Sequence, residues 1–207
     1  MIRIVIADDH GMMRAGLKQI IASTSDIVVV GEATQGAEVM DLVRNMAFDV
    51  LLLDLSMPGP SGVDLIMRVR QERPALPILV LSMHNEGQFV SRSLKAGAAG
   101  YVTKDSEPGI LIAAVRKLAT GDRFIDPSLV NQLVFEPIMA ADQPHLALSN
   151  REYQVLQMFV QGKTVTQMAK ALQLSAKTIS THKSHIKEKL GLQGDADLIR
   201  YAIDHRL

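Results

Sequence analysis

The 207-residue chain contains no cysteine, which excludes disulfides and thiolate metal sites and fits a reducing compartment. It has no apolar run near the ~18–20 residues that a membrane span needs. Its first residues lead into a strand-like run without the pattern of a signal peptide. It has no internal repeat and no low-complexity tract. Nor has it a net charge, with 22 Lys/Arg against 22 Asp/Glu. These absences predict a soluble, cytoplasmic protein with no membrane partner. The 47% of hydrophobic residues suffice for one large or two small cores. The charge balance conceals two unlike halves: residues 1–130 hold 13 Lys/Arg and 15 Asp/Glu, whereas residues 131–207 hold nine and seven. The basic half is where a nucleic acid would bind.

Four short apolar runs each end in a polar or charged residue. Ile4–Ala7 ends in Asp8 and Asp9, Val50–Leu53 in Asp54, Pro77–Leu81 in Ser82, and Gly100–Thr103 in Lys104. Runs of this kind read as buried parallel strands. Amphipathic stretches at 11–23, 36–46, 63–73, 87–96 and 108–120, with a further strand at 27–31, make about five βα units. The predicted architecture is α/β: a flavodoxin-like, doubly wound, five-stranded parallel sheet of order 2-1-3-4-5. In that order the first and third strands meet at the switch point, and ligands bind beyond the carboxyl ends of the strands.

An isolated acid at a strand end is more often a cap or a turn residue; three acids, a hydroxyl and an ammonium in one crevice make a site. Three crowded carboxylates repel one another unless a counter-charge arrives. Asp8, Asp9 and Asp54 offer oxygen only, with no histidine at ligand spacing, and that donor set suits Mg²⁺. Lys104 and the Ser82 hydroxyl would hold phosphoryl oxygens. An Asp beside Mg²⁺ can attack phosphorus. The site reads as a phosphoryl acceptor.

With Met57-Pro58-Gly59 after the middle acid, these positions closely resemble the receiver domain of bacterial response regulators, over residues 1–122. The resemblance implies that Asp54 is the phospho-acceptor and that Asp8, Asp9, Asp54 and the Ser56 backbone carbonyl bind Mg²⁺. It also implies that Ser82 and Lys104 form a switch pair, and that Tyr101 is the aromatic that turns inward on activation. Asp105 departs from the proline that often follows this lysine in the family.

Residues 123–147 break the rhythm with Pro127, Pro137, Pro144 and the small polar run 140–143, which marks a linker; a short helix over 128–134 fits inside it. Residues 148–207 then read as four helices. Ser149 and Glu152 form a capping box opening a helix with Val155, Leu156, Phe159 and Val160 on its apolar side, and Gly162 ends it. Further helices are predicted over 165–172, 176–190 and 195–204. The middle two are joined by Gln173-Leu174-Ser175, the tight turn of a helix-turn-helix.

In the third of these helices Ile179, His182, Ile186 and Leu190 share one face, directed at the core. Lys177, Ser180, Thr181, Ser184 and Lys187 lie on the other, with Lys183 at the flank. Small hydroxyls among lysines can approach base edges while the ammonium groups reach phosphates. His182 is expected to pack and His185 to be exposed.

Residues 148–192 also resemble a LuxR-type helix-turn-helix, through Leu148-Ser149, Arg151-Glu152, Val155-Leu156, Gly162, Met168-Ala169, Leu174-Ser175, Thr178-Ile179, His182, Ile186 and Lys189-Leu190. Val165 stands where that family commonly has Asn, and Ser180 where it often has Lys. A receiver followed by this module is the NarL/FixJ arrangement of response regulators. It implies a transcription factor phosphorylated by a sensor histidine kinase or a small phosphodonor and turning over no external substrate. Lys177, Thr178, Ser180, Thr181, Lys183, Ser184 and Lys187 would then meet double-stranded DNA. The active form would be a homodimer on promoter half-sites, with Leu198, Ile199 and Ala202 of the last helix as dimer contacts. Three alternatives stand beside this reading: a Mg²⁺ phosphatase, a regulator that works unphosphorylated, and a helical domain that binds protein instead of DNA.

Overall fold

The structure is a computed structural model and describes residues 1–57, 62–83, 87–130, 145, 148–172 and 174–205. Pro58, Gly59, Gln173, Pro137, Pro144, the run 140–143 and residues 131–134 of the expected short helix lie outside the described residues. The chain divides into two compact units, Met1–Pro137 and Ile138–Leu207.

The first unit alternates strands and helices: β1 (Ile2–Ala7), α1 (Gly11–Ala22), β2 (Ile27–Ala33), α2 (Gly36–Asn45), β3 (Val50–Asp54), α3 (Gly62–Glu72), β4 (Ile78–Ser82), α4 (Gly87–Lys95), β5 (Gly100–Thr103), α5 (Pro108–Ala119) and β6 (Phe124–Ile125). All strand pairs are parallel, in the order β2-β1-β3-β4-β5-β6. Every residue of β3 and β4 is buried, as expected of central strands with helices over both faces. Leu17 and Ile21 of α1 pack with Leu111, Ala114, Val115 and Leu118 of α5 against Ile4, Ile6, Val50, Leu52, Leu79 and Leu81. Register does the positioning. Ala7 lies opposite Leu53, Asp54 opposite Leu81 and Ser82 opposite Thr103, so Asp8, Asp54, Ser82 and Lys104 leave the sheet at one edge.

The sheet exceeds expectation by one strand. Residues 123–126 read as linker because two residues are too few to show a period. In the fold Phe124 and Ile125 pair with Gly100 and Tyr101, and the backbone N–H groups of Phe124 and Asp126 donate to the Ala99 and Tyr101 carbonyls at 3.1 and 2.9 Å. Asp126 is buried and accepts from the Ser128 N–H at 2.9 Å, which caps the helical residues 127–130.

The second unit consists of α6 (Asn150–Val160), α7 (Val165–Ala171), α8 (Ala176–Leu190) and α9 (Asp195–Asp204). The Ser149–Glu152 capping box is present. A second box, Thr164 with Gln167, opens α7; it supplies the capping at the position beside Val165. Ser175 caps α8 by accepting from the Thr178 N–H, and Gly191, at φ +67°, ends it in the left-handed conformation that only glycine adopts cheaply. Leu148, Val155, Leu156, Met168, Ile179, Ile186, Leu198 and Ala202 form the core. His145 is buried against α9, its backbone N–H donating to the Tyr201 hydroxyl at 3.2 Å.

Two expected dimer contacts are thereby corrected. Leu198 and Ala202 are fully buried inside the unit, because these two positions, four apart on one face of α9, point at α6 and its neighbours. Ile199 is exposed, and Ile203 is exposed beside it.

Gly100 is required by β6: a Cβ there would lie 2.8 Å from the Phe124 carbonyl oxygen and 2.9 Å from Leu79 Cδ1. A backbone carbonyl in a paired strand cannot step aside. Gly100→Val is expected to destabilise the receiver by about 1–3 kcal/mol, seen in urea as a lower midpoint at unchanged slope. An unshifted midpoint would mean that β6 yields without cost.

Candidate phosphoryl-acceptor site and nucleic-acid interface

At the carboxyl edge of the sheet the Lys104 ammonium stands 2.8 Å from Asp8 Oδ2 and 2.8 Å from Asp54 Oδ2. All three side chains are nearly closed to solvent. The Ser56 N–H donates to Asp54 Oδ1 at 3.0 Å. Burial pushes the Asp54 carboxyl above its ordinary value, with Asp8 adding to the push and Lys104 and Ser56 opposing it. Burial acts against the charged Lys104, yet the two carboxylates outweigh it and raise its pKa. The Lys104 N–H donates to the Ser82 carbonyl at 2.9 Å, which keeps the ends of β4 and β5 in step. Ser82 is buried.

Tyr101 is fully buried. It lies on β5, opposite Val80 of β4 and Ile125 of β6.

One residue of this cluster was missed in the sequence. His10, the N-cap of α1, brings Nδ1 to 2.9 Å from Asp9 Oδ1, 3.2 Å from Asp8 Oδ1 and 4.0 Å from Asp54 Oδ2. Its own N–H donates to Asp8 Oδ1 at 2.7 Å. The expectation of oxygen donors alone is thus corrected: ligand atoms of Asp8, Asp9, His10 and Asp54 all lie within 4.8 Å of one another. The signal was present as Asp-Asp-His, but its turn geometry was not. Asp8 Oδ2 faces the Lys104 ammonium at 2.8 Å and Asp9 Oδ1 faces His10 Nδ1 at 2.9 Å. Three carboxylates gathered around one buried ammonium are a donor set that suits a hard cation, so the residues fit Mg²⁺.

A hydroxyl network lies beyond Lys104. Thr103 Oγ1 and Ser106 Oγ are 2.6 Å apart, and Ser106 donates to Asp126. The loop after β5 is in this way fastened to β6.

In the second unit Lys177, Ser180, Thr181 and Ser184 of α8 are exposed. The three hydroxyls donate one turn back, to the carbonyls of Ala176, Lys177 and Ser180 at 3.0, 3.1 and 3.2 Å. Thr178 is half-buried and pairs with Ser175 at 2.8 Å. Lys183 and Lys187 are not free: their Nζ atoms lie 2.8 and 3.3 Å from the Asp195 carboxylate of α9. Lys183 also sits 4.0 Å over the Phe159 ring. These bonds, Lys183 foremost, hold Asp195 below the usual carboxylate range. His182 is half-buried and its pKa is lowered by that burial, in keeping with packing; His185 is exposed.

Comparison with known proteins gives the same division. The family described as "Response regulator receiver domain" matches residues 4–116, and "Bacterial regulatory proteins, luxR family" matches residues 146–202. The response regulator UvrY of Escherichia coli K12 is 33% identical over 209 residues, spanning 100% of this chain and 96% of UvrY. The chain belongs to the NarL/FixJ-type response regulators. Solved relatives include RcsB from Salmonella enterica serovar Typhimurium bound to the promoter P1flhDC in the presence of the phosphomimetic BeF3⁻, 32% identical with TM-score 0.62 and 97% of each chain covered. A structure of two RcsB dimers bound to two parallel DNAs matches at 32% identity, TM-score 0.62 and 97% of each chain. The protein is therefore a two-component regulator with a LuxR-type DNA-binding domain, of a family paired with histidine kinases.

The LuxR-type unit carries its own buried acid. Glu152 accepts from the Ser149 N–H at 2.6 Å and from Lys189 at 2.7 Å. Burial raises its pKa, but the Lys189 and Ser149 bonds outweigh that and the net shift is downward. A depressed carboxylate stabilises the fold above its unfolded value, near 4.5, and loses that contribution as pH falls through the lower folded value. Glu152→Gln is expected to lower the melting temperature of this unit at neutral pH, with the gap to wild type closing below about pH 4. A gap independent of pH would assign the loss to packing.

Proposed function

We propose that Asp54 accepts a phosphoryl group from a sensor histidine kinase or a small phosphodonor, in the cytoplasm, and that this controls promoter binding by the second unit. The carrying observation is the buried Lys104 ammonium held between Asp8 and Asp54. Asp8, Asp9, Asp54 and the Ser56 carbonyl would hold Mg²⁺, which when bound neutralises charge on the transferring phosphoryl group. An Asp54 carboxylate oxygen forms the new bond to phosphorus as the bond to the donor breaks, and the leaving group keeps the electron pair. The acyl phosphate removes the Asp54 partner of Lys104 and offers phosphoryl oxygens in its place; Ser82 donates to another. The group is held stoichiometrically, with no external substrate turned over.

The receiver in this reading comprises residues 1–122 extended by β6 and the helical residues 127–130. The linker runs on to 147, and the DNA-binding module is 148–207. Lys177, Ser180, Thr181 and Ser184 face the major groove, and Lys183 and Lys187 exchange Asp195 for phosphates. Homodimers bind half-sites about one helical turn apart. Ile199 with Ile203, exposed on α9, supplies the dimer face in place of Leu198 and Ala202.

The test is Mg²⁺-dependent labelling from acetyl phosphate, then DNA binding across a salt series. Wild type should incorporate phosphate and bind DNA more tightly, and Asp54→Asn should do neither. Labelling absent while DNA binding persists would mean that the regulator works unphosphorylated. Lys177→Ala should weaken binding to all sequences and reduce the salt slope by about 1; DNA binding insensitive to salt would point to a protein partner instead.

On the dimer, Ile203→Asp should abolish cooperative binding to paired half-sites without lowering the melting temperature. Retained cooperativity would remove the α9 face from the interface.

A further inference from the structure

Asp195 is an acid set among the lysines of the helical unit. It is the first residue of α9, and its two oxygens go to two different residues of α8. Oδ2 meets Lys183 Nζ at 2.8 Å and Oδ1 meets Lys187 Nζ at 3.3 Å. Lys183 and Lys187 stand four apart on one face of a helix, where like charges repel each other. An anion with two oxygens between the ammonium groups relieves that repulsion. A backbone phosphate has the same charge sign and the same pair of oxygens, so carboxylate and phosphate suit one place.

We propose that Asp195 sets the strength of DNA binding, as a built-in competitor for a phosphate that Lys183 and Lys187 share, and that it lowers affinity for DNA of any sequence. This rests on the reading of α8 as the DNA-facing helix and assigns a role to the acid beside it.

The carboxylate also steers both lysines, so its net effect depends on which contribution is larger. Competition is the larger for three reasons. The Lys183 ammonium lies 4.0 Å over the Phe159 ring of α6, an attraction that does not involve Asp195 and holds the lysine in place when the acid lets go. The Asp195 side chain is 51% exposed, against 13% for Lys183, so the acid is the member of the pair that water can take back. An ion pair exposed on that side is weak and screened by salt, and phosphate can displace it. Once displaced, the carboxylate lies beside a polyanion and attracts a cation from solution. That uptake cancels part of the counterion release that drives binding, which makes the salt dependence shallower than the lysines alone would give. The base-facing hydroxyls of Ser180, Thr181 and Ser184 are bonded within α8 and not to Asp195, so the restraint falls on phosphate contacts. Restrained affinity in one module leaves tight binding to depend on two modules acting together.

The experiment measures binding of the full-length chain, treated with Mg²⁺ and acetyl phosphate, to a random-sequence duplex by fluorescence anisotropy across a salt series. The proteins are wild type, Asp195→Asn, Lys183→Ala with Lys187→Ala, and the three changes together. Asn keeps the shape and an oxygen that accepts from lysine while removing the charge. Asp195→Asn should bind roughly three- to tenfold more tightly at low salt, as the loss of two exposed ion pairs allows, with a salt slope steeper by up to about 1. Asp195→Ser, which removes the charge with a residue type suited to helix starts, should repeat the gain. In the background without the two lysines, Asp195→Asn should change affinity by less than about twofold. Unchanged or weaker binding by both Asp195 variants would overturn the proposal and leave the acid a positioning role. An equal gain with and without the lysines would also overturn it, by tracing the effect to overall charge. If the chain binds DNA and loss of both lysines changes nothing, this proposal fails while the DNA-binding reading of α8 stands. If no variant binds DNA, both fail.

Discussion

An ammonium between two carboxylates, closed off from water, is the constraint on which the receiver depends. Lys104 joins the ends of β1, β3 and β5 through contacts of 2.8 Å to Asp8 and Asp54. Buried charges are tolerable only when paired, and the loss of one partner leaves the others exposed to the full desolvation cost. The group is also unbalanced. One buried ammonium faces Asp8 and Asp54, with Asp9 adjoining beside His10, so the carboxylates outnumber it. A site built this way has an excess of negative charge that a bound cation would offset, and the phosphorylation proposed for Asp54 would require Lys104 to change partners.

The second unit repeats the arrangement at its surface. Asp195 holds Lys183 and Lys187 as Asp8 and Asp54 hold Lys104. In each unit a carboxylate occupies a lysine that the proposed function assigns to a phosphate oxygen. The ammonium groups are thereby kept near their working positions, and each contact made with a phosphate must offset one given up with an acid. In the proposed function, nucleic-acid recognition by Lys183 and Lys187 is an exchange of partners, whereas among the described residues no ion pair involves Lys177.

Much of this was legible in the residues. Runs such as Val50–Leu53 read as buried parallel strands, and the polar residue that ends each run lies at the sheet edge because parallel strands in register finish together. Caps such as Ser149 with Glu152 mark helix starts by local chemistry alone. Other features needed three dimensions. Two residues, Phe124 and Ile125, carry no period. His10 reaches its neighbours through a turn whose φ and ψ are not written in Asp-Asp-His. Leu198 and Ala202 are apolar in either role, and only packing shows that they are spent on the core while Ile199 and Ile203 are not. The Lys183–Asp195 bond crosses from one helix to the next, at a separation where charge patterning says nothing.

The short strand β6 has one more effect. Without it β5 would be the last strand of the sheet, with the Ala99 and Tyr101 carbonyls facing outward and unpaired. Such an edge is a template for another chain, and the one here would be mostly apolar and begin with a glycine. The segment that protects it lies past the point where the alternation of strands and helices stops. A receiver cut out by that pattern alone, ending at residue 122, would leave this edge bare; carried through Leu129, which is buried, it would keep its edge covered. The outermost stitch of the first unit is also the opening stretch of the connection to the second, so neither can be redesigned without the other.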